Sequence, residues 1–146
     1  MLRISCCAAL LAAGLFGVGS VPPAKAAEHE HSAHMVACSK ICASCQTECD
    51  FCFAHCKRLV LEGRKEHAAA MELCVDCADC CKLSATLTAR LSPLSMDACE
   101  CCAKCCEKCA AECEKHKDDK HMLQCAKSCR DCAKSCREMI QTVNTK

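Results

Sequence analysis

Aromatic residues are almost absent from this sequence, which has no tryptophan, no tyrosine and three phenylalanines among 146 residues. Glycine and proline are also scarce, at four and three residues, so few positions force a turn or break a helix. The formal net charge is only +1, so nothing in the charge indicates nucleic acid or an anionic membrane as a partner. Apart from cysteine, the apolar residues are mostly alanine and scattered leucine, which are too few for a self-sufficient hydrocarbon core.

The first 26 residues have the pattern of an export signal. Arg3 supplies a positive charge, residues 4–18 are apolar, and residues 24–26 read Ala-Lys-Ala, a small-residue cleavage site. We therefore expect a signal peptide over residues 1–26 and an exported mature protein, either periplasmic or secreted. The apolar run is short for a membrane span, which makes a membrane anchor the weaker interpretation. After removal of the signal we expect no association with a membrane.

Cysteine is the abundant residue, with 23 in the whole chain. The longest regular series has alternating steps of four and three residues: Cys38, Cys42, Cys45, Cys49, Cys52 and Cys56. These steps place the side chains on one face of an α-helix. Thiols therefore stand where leucines would normally form a core, and a soft metal ion is the natural occupant of such a core.

Short breaks divide the chain into four helical segments. We predict helices over about 32–62, 65–91, 95–114 and 118–143, with Ser32 and Ser95 as N-caps and Gly63 ending the first helix. No sustained alternation of apolar and polar residues indicates a strand.

Short loops make consecutive helices antiparallel neighbours. The predicted fold class is all-α, an antiparallel four-helix bundle with a cysteine-lined core. We assign this bundle to residues 35–146 and a flexible, histidine-containing tail to residues 27–34. His29, His31 and His34 in that tail, with Met35, are interpreted as solvated, and copper capture by them is the alternative.

Every predicted helix carries thiols on its inward stripe, and we predict that all the cysteines of the mature chain bind metal. Beside those of the first helix, they are Cys74, Cys77, Cys80, Cys81, Cys99, Cys101, Cys102, Cys105, Cys106, Cys109, Cys113, Cys125, Cys129, Cys132 and Cys136. Three of them, Cys80, Cys101 and Cys105, lie beside the main stripes.

Buried charge favours copper as the metal. A thiolate in a core of low dielectric constant is costly unless a cation neutralises it. Cu(I) cancels one thiolate per ion and accepts two or three thiolates, whereas a structural Zn(II) site requires four converging ligands. The sequence therefore predicts several Cu(I) ions per chain.

Four other interpretations of the cysteines compete with Cu(I) storage. Iron–sulfur binding and thiol redox catalysis fit poorly, because the cysteines lie within helices instead of in loops or at a strand–helix junction. A metallothionein-like protein that sequesters mixed soft metals and a disulfide-stapled structural protein both remain as alternatives. No nucleophile–base pair, phosphate loop or open catalytic metal site is apparent, so we predict that the protein is not an enzyme.

The cysteine steps within residues 38–56, 99–113 and 125–136 resemble those of the copper storage protein family, and they cover nearly the whole mature chain. The resemblance implies Cu(I) storage by inward-facing thiolates in a bundle, often within a homo-oligomer. Exported members are associated with bacteria that supply copper to enzymes such as methane monooxygenase. A copper-accepting enzyme or chaperone would then be a partner, and buffering of excess copper is the other role.

The two ends of the predicted bundle differ in composition. One end is rich in imidazole and thioether donors, and we predict that copper enters there, past His55, His67, Met71, His116, His121 and Met122. The opposite end is mainly hydrocarbon and is predicted to be a plug, formed by Leu83, Leu87, Leu91, Leu94, Met96, Met139 and Ile140. Alternatively, both methionines of the first end are core residues and its histidines are solvated. Phe51 and Phe53 are predicted to be packing residues, with a subunit contact as one role.

Overall fold

The structure, a computed structural model, describes residues 33–144 and confirms the all-α fold class. The four helices are α1 (Ala33–Leu61), α2 (Ala68–Ala89), α3 (Ser95–Cys113) and α4 (Lys120–Asn144). The predicted signal peptide, the N-cap Ser32, His29 and His31 lie outside the described residues. His34, which we assigned to the tail, lies in the first turn of α1.

The helices run up, down, up and down around a single core. Each packs along its length against two neighbours, α1 and α3 both against α2 and α4. The diagonal pairs meet through core sulfurs, such as those of Cys38 and Cys99 at 3.8 Å. The loops 62–67 and 114–119 therefore lie together at one end, which we name the histidine end. The loop 90–94 lies at the other, the leucine end, with the start of α1 and the last turns of α4.

Local chemistry explains two of the helix boundaries. Gly63 has a φ of +94°, a conformation that side chains disfavour, so it ends α1 as predicted. Asp119 begins α4 as an N-cap, because its Oδ1 accepts hydrogen bonds from the backbone N–H groups of His121 and Met122 at 3.0 and 3.3 Å.

Three predicted details of the boundaries were wrong. The second helix opens with a separate 3₁₀ turn, Lys65–His67, and it ends at Ala89 because Leu91 has a φ of +53°. Ser95 is the first residue of α3 and not its N-cap. Its hydroxyl instead donates to the carbonyl oxygens of Leu87 and Ser92, which ties the loop to both helices.

Cysteine fills the core, as predicted. Eighteen of the 21 described cysteines are buried, and small alanines on the same faces let the helices approach closely. The predicted hydrocarbon plug was only partly correct. Leu83 and Leu94 are more than half exposed, whereas Met139 is buried and Ile140 packs against the core.

The phenylalanines also differ from one another. Phe53 packs against the core, but Phe51 is 59% exposed and makes no core contribution. Exposure of Phe51 contradicts a packing role within the chain. Among the described residues, none of the helices has the length and apolar character needed to cross a membrane.

Candidate metal centre

A continuous column of thiols runs along the axis of the bundle. The structure places sets of four cysteine sulfurs within 4.8 Å of one another at successive levels. From the histidine end toward the leucine end, five of these sets are Cys52/Cys74/Cys113/Cys125, Cys49/Cys109/Cys125/Cys129, Cys45/Cys49/Cys77/Cys129, Cys45/Cys77/Cys81/Cys106 and Cys42/Cys102/Cys132/Cys136. Each of the first four sets shares members with the next of these four, and the fifth contacts the fourth, because Cys102 lies 3.6 Å from Cys81 and 3.9 Å from Cys106. The column is therefore continuous, and its shared sulfurs can bridge adjacent ions.

The sulfurs come from different helices at close range. The Cys42 and Cys136 Sγ atoms are 3.5 Å apart between α1 and α4, and those of Cys77 and Cys106 are 3.5 Å apart between α2 and α3. Cys129 on α4 lies 3.6 Å from Cys49 on α1. Helix geometry alone supplies this convergence, because each helix presents one thiol every three or four residues. All 21 cysteines that the structure describes are free thiols.

Neighbouring thiols change one another's ionisation. Hydrogen bonding to Cys106, 3.9 Å away, lowers the pKa of Cys102, and the same contact raises the pKa of Cys106. The thiol of one residue therefore stabilises the thiolate of the other. Complete ionisation of the column would place many negative charges side by side in a buried core, and only bound cations can offset that cost.

Three thiols lie outside the column. Cys101 is exposed, whereas Cys80 and Cys105 are partly buried. The Sγ of Cys80 is 3.2 Å from that of Cys105 and 3.7 Å from that of Cys101. We predicted all three as metal ligands, and the structure groups them on the outer side of the contact between α2 and α3.

The histidine end assembles the residues that we predicted for copper uptake. His67 stacks on His116 with ring centroids 4.2 Å apart, and His55 stacks on His121 at 4.6 Å. Around them, loop residues 115–121 and Arg64 line a polar cleft of about 400 Å³. The structure therefore brings together four histidines from four segments of the chain, and His116 and His121 line the cleft.

Three imidazole nitrogens at the histidine end lack a hydrogen-bond partner. Both ring nitrogens of His67 and the Nε2 of His116 are buried and make no hydrogen bond. Burial, with a smaller contribution from His116, lowers the pKa of His67 and keeps its imidazole neutral. A neutral imidazole with a free nitrogen is available to a metal ion.

The two methionines of the histidine end occupy different positions. The Sδ of Met122 is buried and accepts from the thiols of Cys56 and Cys52 at 3.4 and 3.6 Å, so it continues the sulfur column toward the histidines. Met71 is partly buried and packs against the core. Of the two, Met122 is the one placed between histidines and thiols.

Sequence analysis missed the role of Asp119 at this end. Its Oδ2 lies 2.7 Å from His55 Nε2 and 4.0 Å from His67 Nε2. Although partial burial opposes ionisation, the hydrogen bond with His55 lowers the pKa of Asp119 and favours its carboxylate. The signal in the sequence was an acidic residue at a helix start between two histidines, and we used it only to place the start of the fourth helix.

Buried polar residues lie beside the thiol column at the leucine end. Cys38 and Cys99 have their Sγ atoms 3.8 Å apart, and the Thr88 Oγ1 lies 3.5 Å from the sulfur of Cys99. Thr88, Ser84 and Ser95 are all buried here. This end is therefore sealed by hydroxyl groups and Met139 instead of by the leucines that we predicted.

Taken together, the fold and the column define a thiol-rich metal-binding four-helix bundle. The sequence model of the copper storage protein family matches residues 26–141, so this chain belongs to the copper storage protein family. The resemblance inferred from the cysteine spacing is thereby confirmed, and the storage role of the family confirms that the protein is not an enzyme.

Solved structures of copper storage proteins also match this chain. Cu(I)-bound copper storage protein Csp3 is 34% identical, and the match covers 73% of this chain and 98% of that chain with a TM-score of 0.67. Apo-Csp3 from Bacillus subtilis is 35% identical, over 72% of this chain and 97% of that chain, with a TM-score of 0.64. Among curated protein sequences, no significant match was found.

Proposed function

We propose that this protein stores Cu(I), with many ions per chain, inside its preformed thiol column. One observation carries the proposal: eighteen buried cysteines make up most of the core of residues 33–144 and form a continuous set of potential ligands. Its relative Csp3 is Cu(I)-bound in one solved structure. A catalytic metal site keeps an open position for substrate, whereas this column is closed by its own ligands.

Charge and geometry favour Cu(I) over a divalent ion. Each Cu(I) neutralises one thiolate, so a column filled to about one ion per thiol has little net charge. Four thiolates around one Zn(II) leave two negative charges at every buried site. Because four of the five sets share sulfurs with a neighbouring set, separate tetrahedral zinc sites there would also compete for the same cysteines.

An anaerobic titration tests storage directly. The reduced protein is titrated with Cu(I) in the presence of a chromophoric Cu(I) chelator, and its free thiols are counted in parallel. We expect saturation at many ions per chain, approaching about one per thiol. Saturation at one or two ions would contradict storage, and equal loading by Cd(II) or Zn(II) would favour metallothionein-like sequestration of mixed metals.

We also propose that copper enters at the histidine end. The support is the set of unpartnered ring nitrogens on His67 and His116, followed by Met122 in contact with two thiols of the column. Imidazole and thioether groups bind Cu(I) without having to lose a proton, which suits brief binding before transfer to thiolates.

We infer that the mature protein is exported and self-associates. The Ala-Lys-Ala sequence at residues 24–26 supports export, and the exposed Phe51 and Leu61 on α1 support a contact between copies of the chain. Mass spectrometry of protein from a bacterial periplasm should give a chain that begins near Ala27. Sedimentation should show an oligomer that Phe51→Ser weakens, and a monomer at all concentrations would refute self-association.

The destination of the stored copper follows from export. An exported store is positioned to supply copper enzymes outside the cytoplasm, or to buffer excess copper there. Incubation of the Cu(I)-loaded protein with an apo copper enzyme distinguishes these roles. Transfer and activation indicate supply, whereas retention of the copper indicates buffering.

A further inference from the structure

The three cysteines outside the column form a compact group of their own. Cys80 on α2 faces Cys101 and Cys105 on α3, with Sγ separations of 3.7 and 3.2 Å. These are the only described cysteines that are not buried, and Cys101 is exposed. We name this group the outer triad.

The outer triad arises from three Cys-Cys doublets, at 80–81, 101–102 and 105–106. Adjacent residues on a helix point about 100° apart, so one thiol of each doublet faces the core and the other faces outward. The inner members, Cys81, Cys102 and Cys106, are 3.6 to 3.9 Å from one another. The α2–α3 contact thus carries two three-sulfur groups, one on each side.

The geometry of the outer triad suits a three-coordinate soft ion. Metal–thiolate bonds of about 2.3 Å in a trigonal plane place the sulfurs about 4 Å apart. The observed separations of 3.2 and 3.7 Å need only a small outward movement of the side chains to reach this spacing. Two helices that are fixed by the rest of the bundle hold the three ligands in place.

We propose that Cys80, Cys101 and Cys105 form a Cu(I) site on the side of the bundle, separate from the storage column. The choice of Cu(I) as the ion rests on the proposed function. Because this site faces solvent, an incoming thiolate can replace its cysteine sulfurs one at a time, with no change in oxidation state. Its ion therefore exchanges with external ligands faster than the ions of the core.

Kinetics of copper removal test the site. The reduced protein is saturated with Cu(I) under anaerobic conditions and mixed with an excess of chromophoric chelator. We expect a fast phase of about one ion per chain in the wild type. The variant C80A/C101A/C105A should lose this phase and about one ion of capacity. The matched control C81A/C102A/C106A changes the inner member of each doublet and should keep the fast phase.

Alkylation of the wild type gives a second measurement that does not depend on folding of either variant. In the apoprotein, iodoacetamide should modify Cys80, Cys101 and Cys105 first, and Cu(I) loading should protect all three, as read by peptide mass spectrometry. Equal modification of these cysteines in the loaded and apo forms would overturn the inference. If the chain binds many Cu(I) ions but the outer triad is still alkylated, the outer site is refuted and storage is not. If Cu(I) protects the outer triad but the chain binds only about one ion, storage is refuted and the outer site is not.

Discussion

Met122 lies where the thiol column reaches the histidine end. Its sulfur contacts Cys52 and Cys56, and it lies at the same end of the bundle as the four histidines. Leucine has a similar volume but no sulfur lone pair. We therefore expect Met122→Leu, alone or with Met71→Leu, to slow Cu(I) loading severalfold and leave the capacity unchanged. Stopped-flow mixing with a Cu(I)–chelator complex measures the rate.

A matched control lies at the other end of the column. Met139 is as deeply buried as Met122 but belongs to the leucine end. Met139→Leu should load at the wild-type rate if copper enters only at the histidine end. Equal slowing by both substitutions would indicate a packing effect, and no slowing by Met122→Leu would refute its role in uptake.

His67 makes the stability of the apoprotein depend on pH. Burial lowers the pKa of His67, so the unfolded chain binds a proton at this residue more readily than the folded chain does. Above about pH 6.5 the imidazole is neutral in both states, and its protonation has no effect on stability. As the pH falls below that value, the free energy of unfolding should decrease until the folded-state pKa is reached.

Urea unfolding of the reduced apoprotein at pH 7.5 and pH 5.5 checks this expectation. In His67→Gln, the free energy of unfolding should differ less between the two pH values than it does in the wild type. His34→Gln, at an exposed position near the start of α1, should keep it. A pH dependence that is identical in the wild type and His67→Gln would show that the ring is not protected from protonation.

At the scale of an element, Asp119 serves both the start of α4 and the histidine end. Asp119→Ala removes the N-cap and the partner of His55, and should destabilise the apoprotein by about 1–2 kcal/mol. Asp119→Asn keeps a capping side chain but loses the negative charge, so it should recover most of that stability. Denaturant unfolding of the two variants separates the effect of capping from that of charge. If both variants lose the same free energy of unfolding, the negative charge of Asp119 and not its capping hydrogen bonds stabilises the protein.

Regular features of single elements were the ones that sequence could predict. The step of three and four residues placed the buried cysteines of all four helices correctly, because it depends only on helix geometry. Leu83 was misplaced because we grouped it by its end of the bundle, although it lies off the buried stripe of Cys77, Cys81 and Ser84. The stacking of His67 on His116 joins two loops that are distant in sequence, and no periodic pattern reports such a contact.

For the whole molecule, surface charge contributes little to stability. Arg130 pairs with Glu114, and Arg137 with Glu107, across α3 and α4, but all four side chains are substantially exposed. Exposed ion pairs are each worth about 0–1 kcal/mol. The core contains alanine and cysteine in place of larger hydrocarbon side chains, so the free energy of unfolding of the apoprotein should be modest. Bound ions should supply most of the additional free energy of unfolding.

Copper loading should therefore raise the thermal midpoint strongly. Ions that bind the folded state alone stabilise it by RT ln(1 + [L]/Kd), which is about 4 kcal/mol for one site at a thousandfold excess over Kd, and many sites add to one another. Anaerobic calorimetry of the reduced apoprotein and of partly and fully loaded samples measures the effect. We expect the midpoint to rise with each addition and to return to the apo value after removal of copper by a chelator. A midpoint that does not change with loading would place the copper outside the core, because ions held between four helices must oppose their separation.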